Sequence, residues 1–166
     1  MFMRISVFES RELQATILAL RGMDRELAAQ IRKATKTVTV NEWRAALAPH
    51  ASTPLEKTVL VGSARVAVTN KNISLKAGQL AKKLSSGAPL YSLTRGTEFG
   101  STPREIRTTS RKGRSYTRST GAPFRARKRT GYVAYPAAAD VIPRIAALWV
   151  ATVVRTLHET LDEGAR

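Results

Sequence analysis

Residues 140–161 read DVIPRIAALWVATVVRTLHETL, and this stretch carries the clearest structural signal in the chain. Its apolar side chains recur at steps of three or four residues, which is the spacing of one face of an α-helix. Asp140 can cap such a helix, because its carboxylate accepts free backbone N–H groups of the first turn, where Pro143 is also tolerated. The pattern predicts a long C-terminal helix, with an apolar stripe of Ile142, Ile145, Trp149, Val153, Leu157 and Leu161.

The N-terminal third predicts a short strand and two more helices. Residues 2–8 alternate weakly and predict the strand, and a helical run follows until Gly22 breaks it. Asp24 is a suitable N-cap for a second, longer helix, which Pro49 should end. The β-branched run TKTVTV (35–40) forms helix poorly, so a strand or a kink stays open there.

Short β-prone pieces separated by turn signals occupy the middle of the chain. They alternate with Gly, Ser and Asn clusters, which is typical of antiparallel strands joined by turns. Clustered strands between terminal helices predict an α+β fold. In this fold a small, mostly antiparallel sheet is packed by N-terminal helices and a long C-terminal helix. The predicted strands are 58–61, 65–68, 73–75, 90–94 and 131–135.

Length and composition indicate one ordered domain over residues 1–166. Hydrophobic residues make up 43% of the chain, which is enough for a core. There is no cysteine, so disulfides and thiolate metal sites are excluded, as suits a reducing compartment. The N-terminus lacks the pattern of a signal peptide, and the apolar stretch 145–154 is too short to span a bilayer. We therefore expect no membrane partner.

The charge of the chain is strongly positive and unevenly distributed. Lys and Arg total 28 against 12 Asp and Glu, a net charge of +16, which favours polyanionic partners. Residues 101–131 hold ten Lys or Arg and a single Glu, and so carry more than half of that charge. Their mixture with Ser, Thr and Gly favours an extended arm or hairpin, inserted in the domain as a long basic loop.

Three interpretations of this basic loop stay open. It can bind nucleic acid through phosphate contacts, remain a solvated loop, or act as an assembly arm that orders on a neighbouring subunit. Phe124 is the expected anchor of the loop. The candidate contacts with a partner or with DNA are Arg104, Arg107, Arg111, Lys112, Arg114, Arg118, Phe124, Arg125, Arg127, Lys128 and Arg129.

Residues that could carry catalysis are scarce. Nucleophile-elbow, phosphate-loop, dinucleotide and zinc-protease motifs are all absent, and neither His50 nor His158 has a metal-ligand partner at helical spacing. Glu98 lies in the basic stretch RGTEFGS (95–101), where a surface salt bridge with Arg95 or a loop arginine is the expected role. We predict no enzyme activity, no catalytic residues, no metal and no cofactor.

The order of the pieces resembles the small neck proteins of long-tailed phages, known as head–tail joining, tail-completion or tail-terminator proteins. Amphipathic helices end near an LAP triplet (47–49), and short strands follow (58–75). A VEFG-like element comes next (97–100), and Pro123-Phe124 then leads into the C-terminal segment 131–161. The likeness covers nearly the whole chain, but residues 52–62 depart from the T-G-x-L-x-x-S pattern that the family often has.

This resemblance implies a structural virion protein of the head–tail interface, assembled in the host cytoplasm. Its copies would form a hexameric or dodecameric ring that joins the tail tube to the head connector, with genomic DNA in the lumen. Candidate subunit contacts are Glu98, Phe99, Trp43 and Trp149; for the two tryptophans, core packing is the alternative. The alternative function is a small basic DNA- or RNA-binding protein that uses the 101–131 arm.

Overall fold

The computed structural model describes residues 2–4, 11–83, 87, 89–121 and 123–164. These residues form helices together with two small antiparallel sheets, which confirms the predicted α+β class. In chain order the elements are β1 (Phe2–Arg4), α1 (Arg11–Gly22), α2 (Arg25–His50), α3 (Pro54–Glu56), a π-helical segment (Lys57–Val61), β2 (Arg65–Val68), β3 (Ile73–Lys76), α4 (Leu90–Phe99), β4 (Arg104–Thr109), β5 (Ser115–Thr120) and α5 (Ala134–Gly164).

The two long helices α2 and α5 pack against each other and form the centre of the molecule. The predicted cap of α2 is confirmed, since the Asp24 carboxylate accepts the backbone N–H of Glu26 at 3.0 Å. The helix continues through residues 35–40, where Thr35 and Thr39 are buried. Burial of this face therefore outweighs the poor helix propensity of the β-branched run.

The first sheet has the order β1-β3-β2, with antiparallel pairing on both sides of β3. The strands predicted at 65–68 and 73–75 are confirmed, as β2 and β3. Of the strand predicted at 2–8, Phe2–Arg4 is confirmed and residues 5–8 lie outside the described part of the chain. The Trp43 indole of α2 donates to the Lys76 carbonyl at the end of β3, at 3.1 Å. This bond fixes α2 to the sheet.

The strand predicted at 58–61 is wrong, because these residues continue a helix. Thr53 and Glu56 form a capping box: the Thr53 hydroxyl accepts the Glu56 amide and the Glu56 carboxylate accepts the Thr53 amide, each at 3.1 Å. Pro54 stands at the first helical position, where it is favoured. A local helix start therefore overrides the β-branched composition of the residues that follow.

The strand predicted at 90–94 is also wrong, since these residues form the first half of α4. Leu90 is buried and Leu93 is half-buried, at helical spacing. The Thr94 hydroxyl donates to the Gly78 carbonyl of the preceding loop, and the Thr97 hydroxyl donates back to the Leu93 carbonyl. The bond to Gly78 holds α4 against the body of the protein, whereas the bond to Leu93 lies within the helix.

The C-terminal helix begins six residues before the predicted cap. It starts at Ala134, so the strand predicted at 131–135 is wrong and Pro143 lies inside the helix. Asp140 is likewise an interior helical residue, and its carboxylate pairs with the His50 ring at 3.1 Å. The predicted apolar stripe is present in the part described, with Ile145, Trp149 and Val153 buried.

The early start also changes the length of the apolar helix. The stretch Ala134–Thr160 contains an 18-residue window with a mean hydropathy of 1.6 and is, by length and composition only, sufficient to cross a membrane, contrary to our expectation from the sequence. Core helices of globular proteins meet the same criterion; 33% of this window is buried, and its buried side chains belong to the central core with α2.

Candidate functional site

The basic loop predicted at 101–131 contains an ordered β-hairpin. Strands β4 and β5 pair antiparallel from Arg104↔Thr120 to Thr109↔Ser115, and Gly113 supplies the positive φ of +76° at the turn. Most side chains of both strands are exposed, and the two strands contact each other far more than any other element. We name residues 104–120 the hairpin arm, because they project from the rest of the molecule.

The two faces of the hairpin arm differ in character. Directly paired residues of an antiparallel ladder share a face. One face therefore carries Arg104 and Arg118 together with Ile106 and Tyr116, whose side chains are 43% and 49% exposed. The other face carries Arg107 among hydroxyl side chains and the single acid, Glu105. The tip adds three exposed cations, Arg111, Lys112 and Arg114.

Residues 123–130, which we name the return segment, lead from the arm back to the body and are fixed along their length. The Ser101 amide donates to the Arg125 carbonyl at 2.9 Å, and the Lys128 amide donates to the Phe99 carbonyl at 2.8 Å. The ring of Phe124, the expected anchor, lies so close to Gly96 that a Cβ there would stand 2.6 Å from it. The return segment is therefore part of the folded body, whereas the hairpin arm projects from it.

Arg125 differs from its basic neighbours because the fold uses its charge. Its guanidinium lies 3.5 Å from the buried Glu56 carboxylate and stacks over the Tyr132 ring, 4.0 Å from the ring centre. Lys128 also lies over that ring, at 5.1 Å. Arg127 and Arg129 are exposed and have no ion pair among the residues the structure describes.

A groove of about 660 Å³ lies where α4, the root of the hairpin arm and the return segment meet. We name it the basic groove, because five of its lining residues are cations and none is an acid. Within the described part of the chain, none of these five side chains is paired with a carboxylate. The lining residues are Arg95, Gly96, Phe99, Gly100, Ser101, Thr102, Arg104, Phe124, Arg127, Lys128 and Arg129.

Glu98 holds the wall of this groove together from inside. Its side chain is fully buried, and Oε2 accepts the amides of Val133 and Ala134 at 3.3 and 2.8 Å, while Oε1 accepts that of Tyr135 at 3.0 Å. Its backbone carbonyl accepts the Tyr132 amide at 2.9 Å. One residue at the end of α4 thus binds four consecutive amides at the start of α5. A carboxylate is favourable there because free N–H groups and the helix dipole place positive charge at a helix N-terminus.

This arrangement corrects the roles predicted for Glu98. The surface salt bridge with Arg95 or a loop arginine is wrong, because the carboxylate points into the start of α5 and is shielded from solvent. For the same reason Glu98 has no exposed surface to offer a neighbouring subunit. Phe99, the adjacent candidate, is half-buried; it lines the basic groove and contacts the Tyr135 ring at 5.4 Å between ring centres.

Trp43 and Trp149 lie in the core of a single chain. Both side chains are 0% exposed and belong to the central apolar cluster. Their role as subunit contacts is therefore contradicted, and core packing, the alternative from the sequence, describes them. Apolar stripes at helical spacing occur equally in core helices and at interfaces, so spacing alone does not separate the two.

Gly131 leaves room for the Glu98 carboxylate at the start of α5, and we expect replacement of Gly131 to destabilise the protein. Its φ is +74°, and a Cβ there would overlap Oε1 of Glu98. The matched control is Gly113 at the arm tip, which has φ +76° but nothing within 4 Å of the added atom. Gly113→Ala should cost about 1 kcal/mol from backbone strain alone. Gly131→Ala should cost roughly 3 kcal/mol, since the carboxylate must also give up hydrogen bonds. Urea unfolding of both variants measures the difference, and equal losses would contradict the close packing.

The chemistry that this site offers is the binding of anions. Among the residues described, no three His, Asp or Glu side chains come together as a metal set. Arg95, which the sequence suggests only as a partner for Glu98, lines the basic groove; its proximity in sequence to the basic loop was the available signal. No family model, no curated protein and no solved structure matches this chain.

Proposed function

We propose that this protein is a structural subunit of the phage head–tail interface, a ring-forming tail-terminator or tail-completion protein. The observation that carries the proposal is the hairpin arm, an ordered projection with exposed cations, Ile106 and Tyr116 on a rigid α+β body. Arms of this kind suit contact with a neighbouring copy in a ring, where the same two surfaces meet at every interface. The ordered motifs shared with neck proteins support the same function.

The charge of the chain limits what the arm can meet in such a ring. Copies that each carry +16 repel one another unless their cations face acidic neighbours or DNA. The proposed partners are therefore copies of this chain in a hexameric or dodecameric ring, the adjoining neck and tail-tube proteins, and DNA in the lumen. The proposed location is the neck of the virion.

Removal of the hairpin arm tests the assembly role. The roots of the arm adjoin, since a Cβ on Gly121 would meet the Ser101 hydroxyl at 2.6 Å, so a short Gly-Ser linker can replace residues 104–120. We expect the full chain, alone or co-expressed with its neck partners, to give rings in negative-stain microscopy and mass photometry. The armless variant should keep its circular dichroism spectrum and remain monomeric.

Two results would contradict the assembly role. A full chain that stays monomeric and never enters particles would overturn the neck function, and an armless variant that forms normal rings would overturn the part given to the arm. The variant Arg111→Gln/Lys112→Gln/Arg114→Gln is the control, since it keeps the shape of the arm and removes only the charge of its tip.

A second candidate function is sequence-independent binding of DNA or RNA. The basic groove favours it, because its five cations have no carboxylate partner in the described part of the chain. The two functions are compatible, since a ring that encloses DNA can also contact it.

A further inference from the structure

We propose that the basic groove, rather than the hairpin arm, is the site at which this protein binds the phosphates of a nucleic-acid backbone. The inference rests on the second candidate function and is independent of the neck assignment. It divides the ten cations of the basic segment into groups with different tasks, which the sequence presents as one run.

The charge of the groove is the first observation. Arg95 comes from α4, Arg104 from the root of the arm, and Arg127, Lys128 and Arg129 from the return segment. Cations gathered in one concave surface repel one another, and such a surface raises the local concentration of anions. The nearest acids along the chain do not relieve this repulsion: Glu98 is turned into the start of α5, and Glu105 lies on the arm face opposite Arg104.

The rigidity of the groove is the second observation. Its two walls are joined by the bonds Ser101 N–H to Arg125 O and Lys128 N–H to Phe99 O, and Phe124 packs on Gly96 between them. The cations of this groove are therefore carried on a fixed backbone, so little ordering of the main chain is needed when a ligand binds. The cations at the arm tip lack such support, because the hairpin has few contacts with the body.

The chemistry of the lining selects the ligand class. Four of the five cations are arginines, whose planar guanidinium groups bind phosphate oxygens in pairs. The rest of the lining includes small polar or backbone surface from Ser101, Thr102 and the glycines. Such a surface suits contact with the sugar–phosphate backbone more than recognition of base edges. The C-terminal end of α5 from a second copy is an alternative acidic ligand, but it offers only Glu159, Asp162 and Glu163. The five unpaired cations of the groove favour a longer polyanion.

Two triple variants with equal loss of charge separate the groove from the arm. The groove variant is Arg95→Gln/Arg127→Gln/Arg129→Gln; it spares Arg125 and Lys128, which contact Tyr132. The arm variant is Arg111→Gln/Lys112→Gln/Arg114→Gln, and both variants remove three exposed positive charges. The probe is a fluorescein-labelled DNA duplex of about 20 base pairs, titrated by anisotropy over a series of salt concentrations, with the corresponding single strand as a second probe.

We expect the slope of log affinity against log salt to be about 2.7 less steep for the groove variant on duplex DNA, because three phosphate contacts are lost. The affinity near 0.1 M salt should fall at least 100-fold. On the single strand the slope should fall by about 2. The arm variant should stay within roughly threefold of the unaltered protein on both probes. A stronger effect on one probe identifies whether duplex or single-stranded backbone is the better ligand.

Four results would overturn the proposal, and they differ from one another. If both variants lose DNA affinity equally, binding depends only on the net charge of the protein. If only the arm variant loses affinity, the phosphate site is the hairpin arm. No binding of either probe by the unaltered protein would remove the second candidate function as well. A polyglutamate chain that competes as well as DNA for the groove would assign it to an acidic protein partner. Ring formation is scored separately by microscopy, so none of these results depends on the neck function.

Discussion

The substitution Glu98→Ala should lower the free energy of unfolding by roughly 3–5 kcal/mol, because it leaves buried donors of the first turn of α5 without an acceptor. The carboxylate accepts three amides in a site from which water is excluded. The loss should therefore exceed that of an ordinary exposed N-cap, which is about 1 kcal/mol. The loss of stability for Glu98→Gln should lie between that of Glu98→Ala and that of an ordinary N-cap. One carbonyl oxygen still accepts hydrogen bonds, but the amide NH₂ faces backbone donors.

The control for Glu98 is Glu105→Ala, which removes an exposed acid from the hairpin arm. It should change stability by no more than about 0.5 kcal/mol. Urea denaturation followed by circular dichroism measures both, and hydrogen exchange adds a local readout. The amides of residues 133–135 should exchange much faster in Glu98→Ala, in proportion to the lost local stability. If Glu98→Ala unfolds like Glu105→Ala, the carboxylate is not what begins α5.

Truncation of Trp43 should lower the free energy of unfolding by a similar amount, for a different reason. The indole is completely buried between α2 and the sheet and donates to the Lys76 carbonyl at 3.1 Å. Trp43→Ala removes that apolar volume and leaves a cavity, at a cost of roughly 3–5 kcal/mol. Trp43→Phe should cost about 1–2 kcal/mol, because most of the volume stays and only the hydrogen bond from the indole to the Lys76 carbonyl is lost.

The concentration dependence of this loss separates a core residue from an interface residue. Stability that comes from association varies with protein concentration, whereas core packing does not. We expect the difference in unfolding midpoint between Trp43→Ala and the unaltered protein to be the same over a wide range of concentrations. Tyr91→Ala, which truncates a 59% exposed aromatic residue on α4, is the control and should be close to neutral. If the difference in unfolding midpoint increases with protein concentration, Trp43 is a subunit contact.

Local pattern and capping chemistry account for the part of the fold that was predicted correctly. The α+β class, α1, α2 with its Asp24 cap, the pair β2–β3 and the buried stripe of α5 all follow from periodicity and turn signals. Three predicted strands are wrong, and two of them, 58–61 and 90–94, came from reading β-branched and apolar composition as extended structure. A local signal, the Thr53–Glu56 capping box, was available for the first of them.

The start of α5 could not be predicted in this way, because its cap comes from a distant part of the chain. Asp140 has the right chemistry for a local cap, but Glu98, 36 residues before Ala134, takes that role. The basic groove was missed for the same reason. Composition marks the cations of residues 101–131, whereas their division into arm, structural Arg125 and groove depends on contacts with Gly96, Phe99 and Glu56.

The tip of the hairpin arm also makes the protein convenient to locate inside a large particle. Residues 111–113 are exposed, and Gly113 has open space around it. Exposed hairpin tips accept inserted peptides well, because the added chain disturbs neither buried contacts nor the strand ladder. A short epitope tag at this turn would stand clear of the helical body, and antibody labelling in electron micrographs would then report the position and orientation of each copy.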